Sequence, residues 1–215
     1  MRRSIFHRAG NTQSITSDKW LKLIEDGGYS AIIFDCDGTL VESSDAHFQA
    51  FQASVHTQNQ EMERSWYESR TGLDRQSILT AFAKTVSGNF DVSLAVNDSI
   101  AAFITGHTAV LPIFETVDLV KTLRTSFDLA VVTNSENDVV KASLTKIGLQ
   151  DHFDHTVSIS NGLPPKPAPD MFIAAANCLS ASASNTIIFE DSNEGTQAGI
   201  AAGMNVIQLL PIHSV

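Results

Sequence analysis

Cysteine is scarce in this 215-residue chain: Cys36 and Cys178 are the only two. So small a number argues against a disulfide-stapled scaffold and fits a reducing compartment, so the expected setting is cytoplasmic. Long apolar runs are missing as well. None approaches the roughly 20 residues of a membrane-spanning helix, and no membrane role is expected. Positive charge is short too: 14 Lys and Arg stand against 24 Asp and Glu, a net charge of −10, with no basic stripe to track a phosphate backbone. Nucleic acid is not an expected partner. No repeat or low-complexity segment interrupts the chain, whose 43% hydrophobic content is enough to bury an ordinary core. The first residues, MRRSIFHRAGNTQSIT, are basic and acid-free but lack the apolar stretch of a secretory signal, so residues 1–17 are expected to form a flexible tail.

What is present is a rhythm. SDKWLKLIEDGG reads as a short helix stopped by Gly27-Gly28, and AIIF follows as an uninterrupted apolar run, the pattern of a strand buried on both faces of a parallel sheet. Similar runs recur at LAVVT, HTVSI, NTIIF and NVIQLL, with helical patterns between most of them, including ETVDLVKTLR, PDMFIAAANCL and ENDVVKASLTKIGL, which Gly148 ends. Such βα repetition predicts an α/β fold with a doubly wound, open parallel sheet. Nearly one hundred residues separate the first two of these strands, and they look helical: Ser44 is expected to cap a helix carrying Phe48, Phe51 and Val55, and RQSILTAFAKTV and NDSIAAFITG supply further helices. An inserted helical cap domain is therefore placed at 44–110, with the core built from 18–43 and 111–215.

Ligands of such sheets collect beyond the carboxyl ends of the strands. Those ends carry Asp35-Cys36-Asp37, Thr133-Asn134-Ser135 and Glu190-Asp191-Ser192-Asn193, and a proline-stiffened loop delivers Lys166 before a helix. Each has an ordinary explanation, since a DxD can be a solvated turn, Ser135 a helix cap, and an acidic pair a helix N-terminus. Together, acids on two buried strands, a hydroxyl on a third and one lysine make a metal and phosphoryl site, with oxygen ligands suited to Mg²⁺.

FDCDGTL, VVTN, KPAPD and FEDSNEG with the later AAGM resemble, in order, the four motifs of the haloacid dehalogenase superfamily, in its branch of helical-cap phosphatases and β-phosphoglucomutases. The resemblance spans about residues 30 to 210 and implies a Rossmann-like core. It implies that Asp35 is the nucleophile that attacks phosphorus, and that Asp37 is the acid that protonates the leaving oxygen and then activates water. Alternate positions of an extended segment point the same way, so Asp35 and Asp37 face one ligand while Cys36 faces the core. An aspartyl-phosphate splits one hard displacement into two. The same resemblance implies that Thr133 and Lys166 hold the phosphoryl oxygens, and that Asp191 binds Mg²⁺ beside the Asp35 carboxylate and the Asp37 carbonyl, with Glu190 acting directly or through water. Asp37 argues against the members that cleave carbon–halogen or carbon–phosphorus bonds. Receiver domains share part of this residue set but carry no such insertion.

Two activities remain open within the branch. Arg75 in Gly72-Leu73-Asp74-Arg75 and His47 resemble the cap residues with which mutases hold a second phosphate and gate the general acid, and Asn134 is a further candidate substrate contact. Against a mutase, Glu136 stands where those enzymes have a phosphate-binding lysine, Glu42 and Ser43 depart from their pattern, and Ile113 replaces a common glycine. Hydrolysis of a small phosphomonoester, a sugar phosphate first, is the preferred expectation, with sugar phosphomutase as the alternative and a non-catalytic phosphate sensor behind both. His56, His107, His152 and His155 have no zinc-site spacing and are read as structural or exposed.

Overall fold

The computed structural model describes residues 1–106 and 109–211, so His107 lies outside the described residues. Its centre is β3 (Ala31–Phe34), whose four residues are all fully buried. On one side β3 pairs with β6 (Asp128–Thr133), and β6 with β7 (His155–Ser158); on the other it pairs with β8 (Thr186–Glu190), and β8 with β9 (Asn205–Leu209). All four pairings are parallel, as crossover helices require. The connections carry α6 (Phe114–Leu123), α7 (Asn137–Lys146), α8 (Asp170–Cys178) and α9 (Asn193–Ala201). Two apolar clusters cover opposite faces of the sheet. Ile32, Phe34, Val131, Ile187 and Phe189 point into one, and Ile33, Ala130, Val132, Ile188 and Val206 into the other. The doubly wound α/β sheet expected from the apolar runs is what forms.

The expected flexible tail does not form. Residues 1–17 instead build a hairpin of β1 (Arg3–Arg8) and β2 (Asn11–Thr16), and β1 pairs antiparallel with β9 to give the seven-strand order β2-β1-β9-β8-β3-β6-β7. Ala9 and Gly10, at φ 47° and 78°, make the two-residue turn that matches strand twist. The anchoring signal is slight: Phe6 and Ile15 are the buried apolar side chains, and Ser4 accepts a hydrogen bond from Trp20 Nε1 at 2.9 Å. Trp20 begins α1 (Trp20–Asp26). Sparse apolar content hid a strand whose stability comes from the edge of β9.

After β3 the chain makes the short β4 (Val41–Glu42), which pairs antiparallel with β5 (Leu111–Pro112). Between them lie α2 (Ser44–His56), α3 (Arg64–Glu68), α4 (Arg75–Ala83) and α5 (Val92–Gly106). These helices have their own core, with Phe48, Phe51, Val55, Tyr67, Leu79 and Phe82 among its buried members. Ser44 does not cap α2: the N-cap is Ser43, whose side chain makes no cap bond.

Candidate active site

A cavity of about 660 Å³ lies between the carboxyl ends of the core strands and the helical insertion. Its size suits a small metabolite. Asp35, just past β3, is 6% exposed, and its Oδ1 accepts from Lys166 Nζ at 2.6 Å. The same ammonium donates to Glu190 Oε1 at 2.7 Å. Burial alone would favour loss of its proton, but the two carboxylates raise the Lys166 pKa above its ordinary value. Glu190, at the end of β8, spends its other oxygen on Ser192, accepting from the backbone N–H at 2.7 Å and from the hydroxyl at 2.8 Å. Both of its oxygens are thereby held by donors.

Asp35, Glu190 and Asp191 each offer an oxygen within 4.8 Å of the others. Burial pushes Asp35 well above the usual carboxylate range; Lys166 opposes this, while Glu190 and Asp191 add to it. Burial likewise drives Asp191 up to about 7, helped by Glu190 and opposed by Lys166 and Arg2. Burial and mutual repulsion make Asp35 and Asp191 hold their protons more tightly than usual, a cost to the anions that a divalent cation beside them relieves, and hard oxygen donors are the set such a cation takes. The donor set fits a metal of the Mg²⁺ type. Two glycines make room for it. A Cβ at Gly38, whose φ is +86°, would run into the Asp191 carboxylate, and one at Gly195 would run into that of Glu190.

Asp37 is held differently. Its Oδ1 accepts from Ser43 Oγ at 2.6 Å and faces His47 Nε2 at 3.0 Å, and its Oδ2 accepts from Ser135 Oγ at 2.7 Å. Burial works to raise its pKa, but the His47 ring and the two hydroxyls hold it well below the usual carboxylate range. Arg75 Nη2 lies 3.3 Å from His47 Nδ1. A guanidinium only donates, so Nδ1 accepts and Nε2 carries the hydrogen shared with Asp37. Ser43 and Ser135 each stand beside a helix start, yet each aims its hydroxyl at Asp37 instead of capping. The sequence alone offers Ser135 as a helix cap and Ser43 only as a departure from the mutase pattern, so neither stands out as a site residue.

The remaining candidates also converge. Thr133 is 1% exposed at the end of β6, and its Oγ1 accepts from the Ser135 N–H at 3.0 Å. Asn134 ties three segments together: its Oδ1 accepts from the Lys166 N–H at 2.9 Å, and its Nδ2 donates to the carbonyls of Gly72 at 3.1 Å and Lys166 at 3.3 Å. Arg75 is buried, with Nε donating to Glu136 Oε2 at 2.9 Å, Nη1 to Ser99 Oγ at 3.1 Å, and the guanidinium over the Phe51 ring at 4.9 Å. Asp35, Asp37, Thr133, Asn134, Lys166, Glu190, Asp191, His47 and Arg75 all line the one cavity.

A family model described as haloacid dehalogenase-like hydrolase matches residues 32–209. The chain belongs to the haloacid dehalogenase-like hydrolases. Among similar curated proteins, fructose-1-phosphate phosphatase YqaB of Escherichia coli (strain K12) is 26% identical, the match covering 84% of this chain and 96% of that protein. Protein CbbY of Rhodobacter capsulatus is 28% identical, with 82% and 83% covered. A crystal structure of CbbY from Rhodobacter sphaeroides in complex with phosphate superposes with a TM-score of 0.76 at 23% identity, covering 82% of this chain and 84% of that one. In this haloacid dehalogenase-like hydrolase the N-terminal hairpin falls outside the matched residues. Among the described residues no helix is long and apolar enough to cross a membrane.

Proposed function

We propose that this hydrolase is a Mg²⁺-dependent phosphatase of small phosphomonoesters, with sugar phosphates as its substrate class, acting through an aspartyl-phosphate on Asp35. The carrying observation is the pairing of Asp35 with Lys166 at 2.6 Å beside Asp191 and Glu190, at the floor of a cavity that also presents Asp37. A carboxylate oxygen of Asp35 bonds to phosphorus as the bond to the leaving oxygen breaks, and Asp37 gives that oxygen its proton. Asp37 then takes a proton from water, whose oxygen attacks phosphorus and releases Asp35 and inorganic phosphate. Lys166 and the Thr133 hydroxyl hold the phosphoryl oxygens. Asp35, Asp191 and the Asp37 carbonyl would hold Mg²⁺, with Glu190 behind them, and the ion supplies charge neutralisation between nucleophile and phosphate.

The three donors around Asp37 favour its carboxylate, the form that accepts a proton from water. Protonation for the first step needs some of them withdrawn, and His47 belongs to α2 of the cap. Cap movement thus couples substrate entry to the proton state of Asp37. The helical cap limits access to small substrates, and the name of the YqaB relative supports sugar phosphates among them.

Arg75 bears on the mutase alternative. Its guanidinium is already engaged by Glu136, Ser99, His47 and the Phe51 ring, so it is not free to grip a second phosphate. Purified protein with Mg²⁺ and a panel of sugar phosphates, including β-glucose 1-phosphate primed with its bisphosphate, decides the matter when free phosphate and isomerised sugar are scored together. Free phosphate as the dominant product is expected. Isomerised sugar with little free phosphate would establish the mutase, and binding without turnover would establish the sensor.

A further inference from the structure

We propose that Arg2, on the N-terminal hairpin, is a positioning residue of the active site, holding the turn that follows Asp37. The topology puts it within reach. Because β1 runs antiparallel to β9, with Ser4 opposite Leu209, the start of β1 lies at the carboxyl ends of the parallel strands, where Thr133 and Glu190 also lie. From there the guanidinium donates through Nη2 to the Gly38 carbonyl at 3.1 Å and through Nε to the Leu210 carbonyl at 3.4 Å. Its own backbone is fixed on both sides: Arg2 N–H donates to Ser17 Oγ at 3.1 Å, Ser17 N–H to the Arg2 carbonyl at 2.9 Å, and Leu210 N–H to the Arg3 carbonyl at 3.0 Å.

The turn it grips is also closed by the Leu40 and Val41 N–H groups on the Cys36 carbonyl, at 2.8 and 3.1 Å, and held by Thr116 Oγ1 on the Thr39 carbonyl; Arg2 adds a side-chain donor at Gly38 itself. Gly38 has no side chain to pack, closes the turn through its N–H to the Val41 carbonyl at 2.7 Å, and sits where an added Cβ would collide with the Asp191 carboxylate. A shift of its carbonyl is passed directly to Asp37 on one side and to the metal-site carboxylate on the other. Arg2 is 7% exposed, an uncommon burial for a charged group, and Asp191, Glu115 and Glu42 supply the negative charge facing it. An apolar side chain would anchor a hairpin without that desolvation; a guanidinium adds one directed donor to the Gly38 carbonyl and another to that of Leu210. These contacts come from a segment outside residues 32–209 of the family match.

The kinetic arm of the test rests on the phosphatase reading; a second arm does not. Arg2→Met, Arg2→Lys and, as a control on an exposed arginine of the same hairpin, Arg8→Met are compared with the wild type for kcat, KM, thermal unfolding and hydrogen exchange of the metal-free protein. Arg2→Met is expected to lower kcat about tenfold with KM within about twofold, because misplacement of reacting groups acts on the transition state. Arg2→Lys, which keeps the charge and a donor, restores most of the rate, and Arg8→Met matches the wild type. Exchange across residues 35–42 rises in Arg2→Met alone. If Arg2→Met lowers only the unfolding temperature, with kcat and exchange across 35–42 unchanged, Arg2 is a hairpin anchor and the proposal falls. A wild type without turnover on any phosphomonoester overturns the phosphatase reading instead, and the exchange comparison still decides for or against Arg2. Should Arg2→Met fail to fold, Arg2→Gln, which keeps a donor without the charge, takes its place with the same two outcomes.

Discussion

Arg75 on the cap and Glu136 on the core form an ion pair, Nε to Oε2 at 2.9 Å, with the Arg75 side chain 3% exposed and that of Glu136 17%. In the sequence these two residues argue in opposite directions, the arginine for a second phosphate and the glutamate against one. In the fold each answers the other. The pair joins the helical insertion to the sheet domain, and through His47 it continues to Asp37.

Breaking that pair should therefore be felt in both stability and selectivity. Glu136→Gln leaves a buried guanidinium without its ionic partner, and a loss of about 1–3 kcal/mol is expected, below the range for fully buried pairs because Glu136 is partly exposed. In urea unfolding, Arg75→Met combined with Glu136→Gln should cost less than the sum of the single changes. Glu136→Gln should also raise kcat/KM for sugar bisphosphates relative to monophosphates. An unchanged ratio would show that Glu136 has no part in selection.

Asp35→Asn keeps the side-chain shape while removing the nucleophile. Phosphate release should drop by about 10³-fold or more, with far-UV circular dichroism retained. Turnover near the wild-type level would reject Asp35 as the attacking group.

Chelation of divalent cations should abolish phosphate release without unfolding the chain, because the sheet and its two apolar clusters do not depend on the ion. Readdition of Mg²⁺ at one hundred times its dissociation constant should stabilise the protein by about 2.7 kcal/mol. Asp191→Asn should remove most of that gain. A metal-independent rate would contradict the proposed ligand set.

Gly38→Ala and Gly10→Ala separate strain from collision. Both glycines have positive φ, +86° and +78°, but a Cβ at Gly38 meets the Asp191 carboxylate whereas one at Gly10 meets nothing. Gly10→Ala should cost about 1 kcal/mol of stability from the backbone alone and leave turnover intact. Gly38→Ala should lose activity as well. Equal kinetics for the two variants would mean that Asp191 adjusts without consequence.

Ser135→Ala tests whether the hydroxyl serves Asp37 or α7. Since Glu136, not Ser135, is the N-cap residue of α7, the helix should keep its stability while kcat falls. A lowered unfolding temperature with unchanged kcat would return Ser135 to a structural role.

Most of the core could be read in the sequence because a strand covered on both faces must be apolar at every position, as Ala31–Phe34 and Thr186–Phe189 nearly are, and because four separated motifs keep their order. The hairpin could not. Its strands carry few apolar side chains, and its pairing energy comes from the backbone of β9, which leaves no mark in residues 1–17. The serines mislead for a related reason: the same residue types cap helices and solvate carboxylates, and only the direction of the side chain separates the two uses.

Hydrophobic period and motif order are local properties of the chain, so residues taken in order carry the fold class, the family and most of the groups that meet beyond the strands. What each group faces is set by folding: Glu136 against Arg75, Ser43 and Ser135 against Asp37, and Arg2 against Gly38. Such pairings join residues as far as 98 positions apart in the case of Ser135 and Asp37. Their energies depend on burial and distance, which exist only once the chain has folded.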